Sequence, residues 1–189
     1  AYAKLRRADF FLPSDYHLMN AGKICIVFYE KTGAAVWLDR GDEFFQKLIK
    51  RNPRHALALN GAGVAARENF ILYADKKYAL RAEGFFEKAI INDPYLKAAR
   101  LNLARLLEKQ GKLEDAGKQY EEALEIYADD ELLLFNAGVV NVNSGNSAKA
   151  LQYWRRLGRI NPDYRNLRNY IKRAEALAVE DRRRNEARP

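Results

Sequence analysis

The chain has 189 residues, 48% of them hydrophobic and 31% charged, with a formal net charge of +8 at pH 7. This is the balance of one soluble domain with a sizeable core. No apolar run approaches the roughly 20 residues that a membrane-spanning helix needs, and the single Cys25 cannot form an internal disulfide. Localisation stays open between the cytoplasm and the periplasm.

The first 53 residues predict an arm followed by a helix pair. The arm, residues 1–13, carries basic residues and then Phe10 and Phe11 before Pro13 stops any helix. Ser14 is a good N-cap, and apolar residues at helical spacing predict one helix from there to Gly33 and another before residue 53.

A second helix pair is predicted over residues 54–94, and the first two pairs share an insertion. The Asn near the middle of the first helix and the aromatic residue of the second helix are 25 and 26 residues apart in these pairs, against 18 in the third. Because two α-helical turns take roughly seven residues, we expect longer helices instead of loops. The apolar extra residues, which should form a second small core, are Phe28, Tyr29, Val36, Trp37, Phe70, Ile71, Leu72, Tyr73 and Tyr78.

Residues 95–162 contain one 34-residue pattern written twice. Such a period is typical of stacked repeats, and the apolar spacing makes each copy two helices separated at a Gly that can adopt a left-handed conformation. The small residues should sit where the two helices cross, with an aromatic residue of the second helix filling the space. Matching residues, each pair 34 apart, are Asn102 and Asn136, Ala104 and Gly138, Gly111 and Gly145, Ala116 and Ala150, and Tyr120 and Trp154.

A final helix is predicted after Pro162, apolar on one side and charged on the other, which suits the capping helix that a solenoid needs. The predicted fold is therefore all-α, a superhelix of about four helix pairs plus this cap, in one domain of residues 1–189. The predicted repeats span 14–53, 54–94, 95–128 and 129–162, and the cap spans 163–187.

The small residue, the Ala, the aromatic residue and the Pro at these offsets resemble the tetratricopeptide repeat family over about residues 14–180. The sequence departs from that pattern at Arg100, at Ala128 in place of Pro, and at Leu157 with Gly158 late in the last helix. The resemblance implies a right-handed superhelix and a non-enzymatic adaptor, with an inner surface lined by the first helix of each pair.

Each of these first helices carries an Asn in the same column. Asn is up to about 0.7 kcal/mol less favourable than Ala within a helix, so another interaction of the side chain should offset this cost. A row of Asn side chains can hold the N–H and C=O groups of an extended peptide, similar to the asparagine ladder of O-GlcNAc transferase. Alternatively, each Asn bonds a neighbouring helix, and both readings stay open. The residues predicted to bind a peptide are Asn20, Asn60, Asn102 and Asn136, with Met19, Leu59, Leu101 and Phe135 for apolar side chains and Lys23 and Arg105 for acidic ones.

Catalysis finds little support in the sequence. His17 and His55 are the only histidines, without a second ligand at metal-binding spacing and without a Gly-rich phosphate loop. We therefore predict no enzyme activity, no cofactor and no metal.

Besides a peptide, the sequence leaves open two other kinds of partner, a second copy of the chain and a polyanion. The array could self-associate through its ends or convex face, or fill its groove with its own arm. Residues 155–189 contain 11 Lys and Arg against 5 Asp and Glu, so nucleic acid or an anionic surface could meet the basic end. The run from Arg182 to Arg184 lacks aromatic neighbours and fits a solvated cap better.

Overall fold

The computed structural model describes residues 13–186 of the chain. The predicted arm, with Phe10 and Phe11, lies outside these described residues. Within residues 13–186 the backbone forms nine α-helices and one 3₁₀ turn and contains no strand, which confirms the prediction of an all-α fold.

Short connections join consecutive helices. Their bounds are α1 Asp15–Thr32, α2 Val36–Arg51, α3 Ala56–Tyr73, α4 Lys76–Asn92, α5 Lys97–Lys109, α6 Leu113–Ile126, α7 Glu131–Asn143, α8 Ser147–Ile160, a 3₁₀ turn Tyr164–Asn166 and α9 Leu167–Glu186. None of the helices within the described range is both long and apolar enough to cross a membrane.

The chain divides into two compact units. Unit 1 is Ala1–Ala99 and unit 2 is Arg100–Pro189. Unit 1 contains α1 to α4, and unit 2 contains most of α5 together with α6 to α9. The single domain over residues 1–189 and its repeat boundaries stay predictions.

The helix ends follow the local chemistry of the sequence. The Ser14 hydroxyl accepts the backbone N–H of His17 at 3.3 Å, so Ser14 caps α1 as predicted. Gly33, Gly111 and Gly145 have φ angles of 68°, 77° and 78°. A side chain is strained in that left-handed region, and the three glycines therefore end their helices where the sequence placed the breaks.

The insertions in the first two pairs lengthen helices. The helices α1 and α3 have 18 residues each, α2 has 16 and α4 has 17, whereas α5 to α8 have 13 or 14. The added residues thus continue the helical hydrogen bonding and do not form long loops.

The second small core expected from these added residues is only partly formed. The ring of Phe28 stacks on that of Trp37 with a centroid separation of 4.8 Å, and the rings of Tyr73 and Tyr78 lie 5.9 Å apart. Yet Phe28 is 43% exposed and Tyr73 is 55% exposed. The expectation of a second small core is therefore met only in these two ring contacts, since Val36, Ile71 and Leu72 stay exposed.

Three of the helix pairs are centred on an aromatic ring that lies against a glycine of the facing helix. Phe45 of α2 fits between α1 and α3, where a methyl group at Gly22 or Gly61 would lie 2.6 Å from its ring. Phe86 and Trp154 lie in the same way against Gly63 and Gly138, at 2.5 and 2.1 Å from such a methyl group. These distances are far below van der Waals contact, so the packing requires the absence of a side chain at each Gly.

The ring contact yields a stability prediction. We expect Gly63→Ala to lower the free energy of unfolding by about 1–3 kcal/mol, since the added methyl group must displace the Phe86 ring. Gly84→Ala, in α4 of the same pair, has no heavy atom within 4 Å of the new methyl group. This control should raise stability by about 0.5–1 kcal/mol through helix propensity. Urea titrations followed by circular dichroism measure both, and a Gly63→Ala variant as stable as Gly84→Ala would contradict the packing argument.

Candidate functional site

The four asparagines of the predicted column, hereafter the amide column, occupy equivalent positions. Unit 1 carries Asn20 on α1 and Asn60 on α3, and unit 2 carries Asn102 on α5 and Asn136 on α7. All four are half-buried, as expected for a position at the edge of a helix-packing face. Each unit therefore carries two half-buried asparagines at equivalent positions.

The amides differ in their hydrogen bonding. Asn60 and Asn102 each take part in an interaction within the protein, which agrees with the alternative that they serve the fold. The Nδ2 atom of Asn136 is buried and has no hydrogen-bond partner in the part of the chain that the structure describes. A buried donor without a partner costs about 1–3 kcal/mol, so Asn136 is not explained by intramolecular bonding.

The residues that precede the asparagines lie mostly in the core. Met19 and Leu59 are buried, Leu59 with only 1% exposure, and Phe135 is buried against Trp154 and Tyr170. Leu101 is half-buried. Their contact with a peptide stays a prediction. The three buried side chains expose almost no surface that a peptide could use.

The two predicted cations lie at the surface. Lys23 follows Asn20 by three residues on α1, and Arg105 follows Asn102 by three residues on α5, so each cation lies on the same helix face as its amide. Both side chains are exposed, and no ion pair joins either of them to another described residue. Each unit therefore sets a cation beside an amide.

Sequence reasoning missed a small cavity in unit 2. It has a volume of about 110 Å³ and lies between α7 and α9, with Val139, Val142, Tyr170 and Arg173 among its lining residues. Val139 is one turn beyond Asn136 on α7. The sequence predicted that the last helix is apolar on one side, but that pattern could not reveal that its packing leaves a space.

Packed aromatic rings form one wall of this cavity. The Tyr170 ring lies edge-on to Phe135 at 5.0 Å and to Trp154 at 5.4 Å between centroids. The guanidinium of Arg165 lies 5.4 Å from the centroid of Phe135 and of Tyr164, a cation–π arrangement.

This arrangement depends on strained backbone. Arg165 and Asn166 have φ angles of 41° and 61°, in the left-handed region that costs a non-Gly residue roughly 1–2 kcal/mol. The strained turn leads directly into α9, so it sets where the helix begins and where Tyr170 lies.

Near the C-terminal end of α3, two charged side chains form an ion pair with each other. Arg67 Nη2 donates to Glu68 Oε1 at 2.6 Å, and both side chains are largely shielded from water. Burial, and then the charge of Glu68, raise the pKa of the Tyr29 phenol, which therefore stays a neutral hydrogen-bond donor.

The structure offers no obvious catalytic chemistry in the residues it describes. No group of three or more His, Cys, Asp or Glu residues in that range could hold a metal ion. Burial raises the pKa of the Cys25 thiol, which disfavours the nucleophilic thiolate.

The unpartnered amide gives a second stability prediction. Asn136→Ala should leave the free energy of unfolding unchanged or raise it by up to about 0.7 kcal/mol, because no hydrogen bond is lost and helix propensity improves. Asn161→Ala is the matched control, since Asn161 Nδ2 donates to Glu131 Oε2 at 3.1 Å, and its loss should cost about 1 kcal/mol. Chemical denaturation of the two variants checks this. A larger loss for Asn136→Ala than for Asn161→Ala would show that Asn136 serves the fold.

The sequence and the fold were compared with known proteins. The profile of the family described as Tetratricopeptide repeat matches residues 80–131 and 101–165. No curated protein sequence matches the chain.

Solved structures match over most of the chain. The MamA protein is 16% identical, with 89% of this chain and 86% of that chain covered and a TM-score of 0.66. A thermophilic TPR protein of Thermus thermophilus is 16% identical, with 90% and 86% covered and a TM-score of 0.69. YrrB is 20% identical, with 89% and 79% covered and a TM-score of 0.66. At these identities the likeness establishes the fold alone.

Proposed function

This chain is a tetratricopeptide repeat protein, and we propose that it is a non-enzymatic adaptor that binds an extended peptide segment of a protein partner. The family consists of protein–protein interaction modules and is generally non-enzymatic. The structure of YrrB, 20% identical to this chain, is described as having an unusual peptide-binding site, so peptide binding occurs on this fold.

The buried and unpartnered amide of Asn136 is the observation that carries the proposal. Rotation of a side-chain amide about χ2 exchanges its N–H and C=O ends, so Asn136 can offer a donor to a peptide carbonyl or an acceptor to a peptide N–H. Such contacts recognise the main chain and carry no information about side chains. A ligand that accepts a hydrogen bond from Asn136 removes the free-energy cost of leaving its Nδ2 without a partner.

The cavity beside Val139 and Tyr170 gives unit 2 a place for a side chain of the same peptide. Its apolar lining favours a medium-sized apolar residue, and its volume limits it to one. Arg173 at its edge is exposed and favours a carboxylate nearby. The peptide class proposed for unit 2 is therefore extended, with an apolar residue next to an acidic one.

Unit 1 repeats part of this chemistry with different residues. Asn20 and Lys23 share one face of α1, and both are accessible at the surface. The cation favours an acidic residue one or two positions from the main-chain contact.

Binding is testable without knowing the natural partner. The full chain is used to select from a random peptide library, and the selected peptides are measured by fluorescence anisotropy. The double variant Asn136→Ala with Arg173→Gln should weaken binding about tenfold, since one hydrogen bond of about 0.5–1.5 kcal/mol and the attraction of Arg173 for an acidic residue are lost.

The control for this experiment is Asn92→Ala with Arg54→Gln, two exposed residues of unit 1 outside the amide column, which should leave affinity unchanged. The selected peptides should be enriched in an apolar residue next to Asp or Glu. Failure to select any peptide, or equal affinity for both double variants, would refute peptide binding by the amide column.

Assembly through the apolar end of unit 1 is a second candidate function. The residues there that remain substantially exposed are Val27, Phe28, Val36, Ile71, Leu72 and Tyr73. A contiguous apolar surface is unfavourable in water and is typical of an interaction site. This apolar surface lies at the C-terminal ends of α1 and α3, whereas Asn20 lies in the N-terminal half of α1.

Light scattering tests the assembly candidate. If the apolar end joins two copies, the full chain has at least the mass of a dimer, and Val36→Lys with Leu72→Lys reduces it to that of a monomer. Ile91→Lys places the same charge on an exposed apolar residue elsewhere in unit 1 and should not change the mass. A monomeric full chain at high concentration would exclude assembly through this surface.

A further inference from the structure

A second groove in unit 2 lies between α8 and α9, the two helices that end the array. These helices pack directly on each other, and the groove along their junction has a volume of about 750 Å³. Its α9 side consists of Glu175, Ala178, Val179 and Arg182, whose spacings of three and four residues place them on one helix face. The cavity beside Tyr170 uses none of these residues, so the α8–α9 groove is a separate surface.

The floor of the α8–α9 groove is apolar. Leu151 of α8 is almost completely buried beneath it, and Ala178 is half-buried, whereas Val179 of α9 is 51% exposed. Among the helices that the structure describes, α9 packs mainly on α8. Val179, together with Ala178 and the edge of Leu151, therefore forms a short apolar strip that is open to solvent.

The walls of the α8–α9 groove are cationic. Arg155 Nη2 lies 3.0 Å from Glu175 Oε1, an exposed pair that contributes little stability. Arg159 and Arg182 are also in the lining and form no ion pair with any residue in the described range. The described side chains that line the groove therefore carry a net charge of +2, from three arginines and one glutamate.

We propose that the α8–α9 groove binds an amphipathic α-helix of a protein partner, with an apolar stripe flanked by acidic side chains. A third helix fits because side chains at three- and four-residue spacing form the ridges and grooves into which another helix packs. The stripe covers Leu151 and Val179, and the acidic flanks reach Arg159 and Arg182. Charge complementarity selects this class of helix over neutral or basic ones.

A nucleic acid fits the α8–α9 groove less well. Its phosphates would pair with the arginines, but its backbone has no apolar surface to cover Leu151 and Val179. The groove lining contains no aromatic side chain on which a base could stack. An amphipathic helix uses both the floor and the walls, which is why the observations favour it.

The groove spans residues 148–159 of α8, about 18 Å at 1.5 Å per residue, so a helix of about 12 residues covers it. The probes are synthetic peptides of that length, stapled to stay helical. One has a leucine stripe flanked by glutamates, a second has the same stripe flanked by lysines, and a third is a scrambled sequence of the first composition. A 20-nucleotide single-stranded RNA is the fourth probe.

Anisotropy titrations with the full chain should show binding of the acidic amphipathic peptide at least tenfold tighter than of the lysine peptide or the scramble. Arg159→Gln with Arg182→Gln should weaken that binding about tenfold, and Val179→Asp should weaken it similarly. The control Lys50→Gln with Lys88→Gln removes the same charge from exposed side chains in unit 1 and should change affinity less than twofold. Arg159, Arg182 and Val179 are exposed, so these variants should keep the wild-type melting temperature.

The inference is overturned if the acidic peptide does not bind, if the lysine-flanked peptide binds equally well, or if the groove variants bind like the control. RNA binding that exceeds binding of every peptide also overturns it, in favour of a nucleic-acid surface. Substitutions in the amide column should leave binding of the acidic helix unchanged, so this result and the test of the extended peptide are independent.

Discussion

The contact of an aromatic ring with bare helix backbone sets the geometry of three of the helix pairs. Phe45 lies against both Gly22 and Gly61, and Trp154 lies against Gly138 while its Nε1 donates to the Phe135 carbonyl at 3.0 Å. Because a side chain at any of these glycines would collide with the ring, each ring can reach the backbone of the facing helix only where a glycine stands. These contacts set the angle and depth at which the paired helices pack. They therefore also determine which residues of the first helix in a pair face solvent.

Sequence reasoning recovered the features that depend on local chemistry. The 34-residue period, the Ser14 cap and the left-handed Gly111 and Gly145 are each determined by a few neighbouring residues, and all appear in the structure. The longer helices of the first two pairs were also predictable, since an insertion of two helical turns keeps the helical phase. Whether the added apolar residues would be covered was not, because that depends on what lies beyond the helix ends.

The candidate surface was harder to predict because neighbours in sequence point in different directions on a helix. Leu59 directly precedes Asn60, but a rotation of about 100° per residue turns it into the core while the amide stays near the surface. A helix packed on two sides, as α3 is on α2 and α4, has apolar residues around much of its circumference. The sequence column therefore identified the amides correctly as equivalent positions, but could not tell which adjacent residues remain accessible. The cavity beside Tyr170 depends on the strained turn at Arg165, which no sequence pattern signals.

The final helix of the array must satisfy two conflicting requirements. Solubility favours a polar outer face, and α9 meets this with charged residues along most of its length. Packing on α8 requires apolar residues such as Leu167 and Ala174, which are buried, and the same stripe of small and apolar residues continues beyond that contact to Val179. Arginines beside this continuation protect it from non-specific association, because two copies of the same cationic surface repel one another. In the proposed complex the same arginines select an acidic helix, so solubility and specificity would arise from one set of side chains.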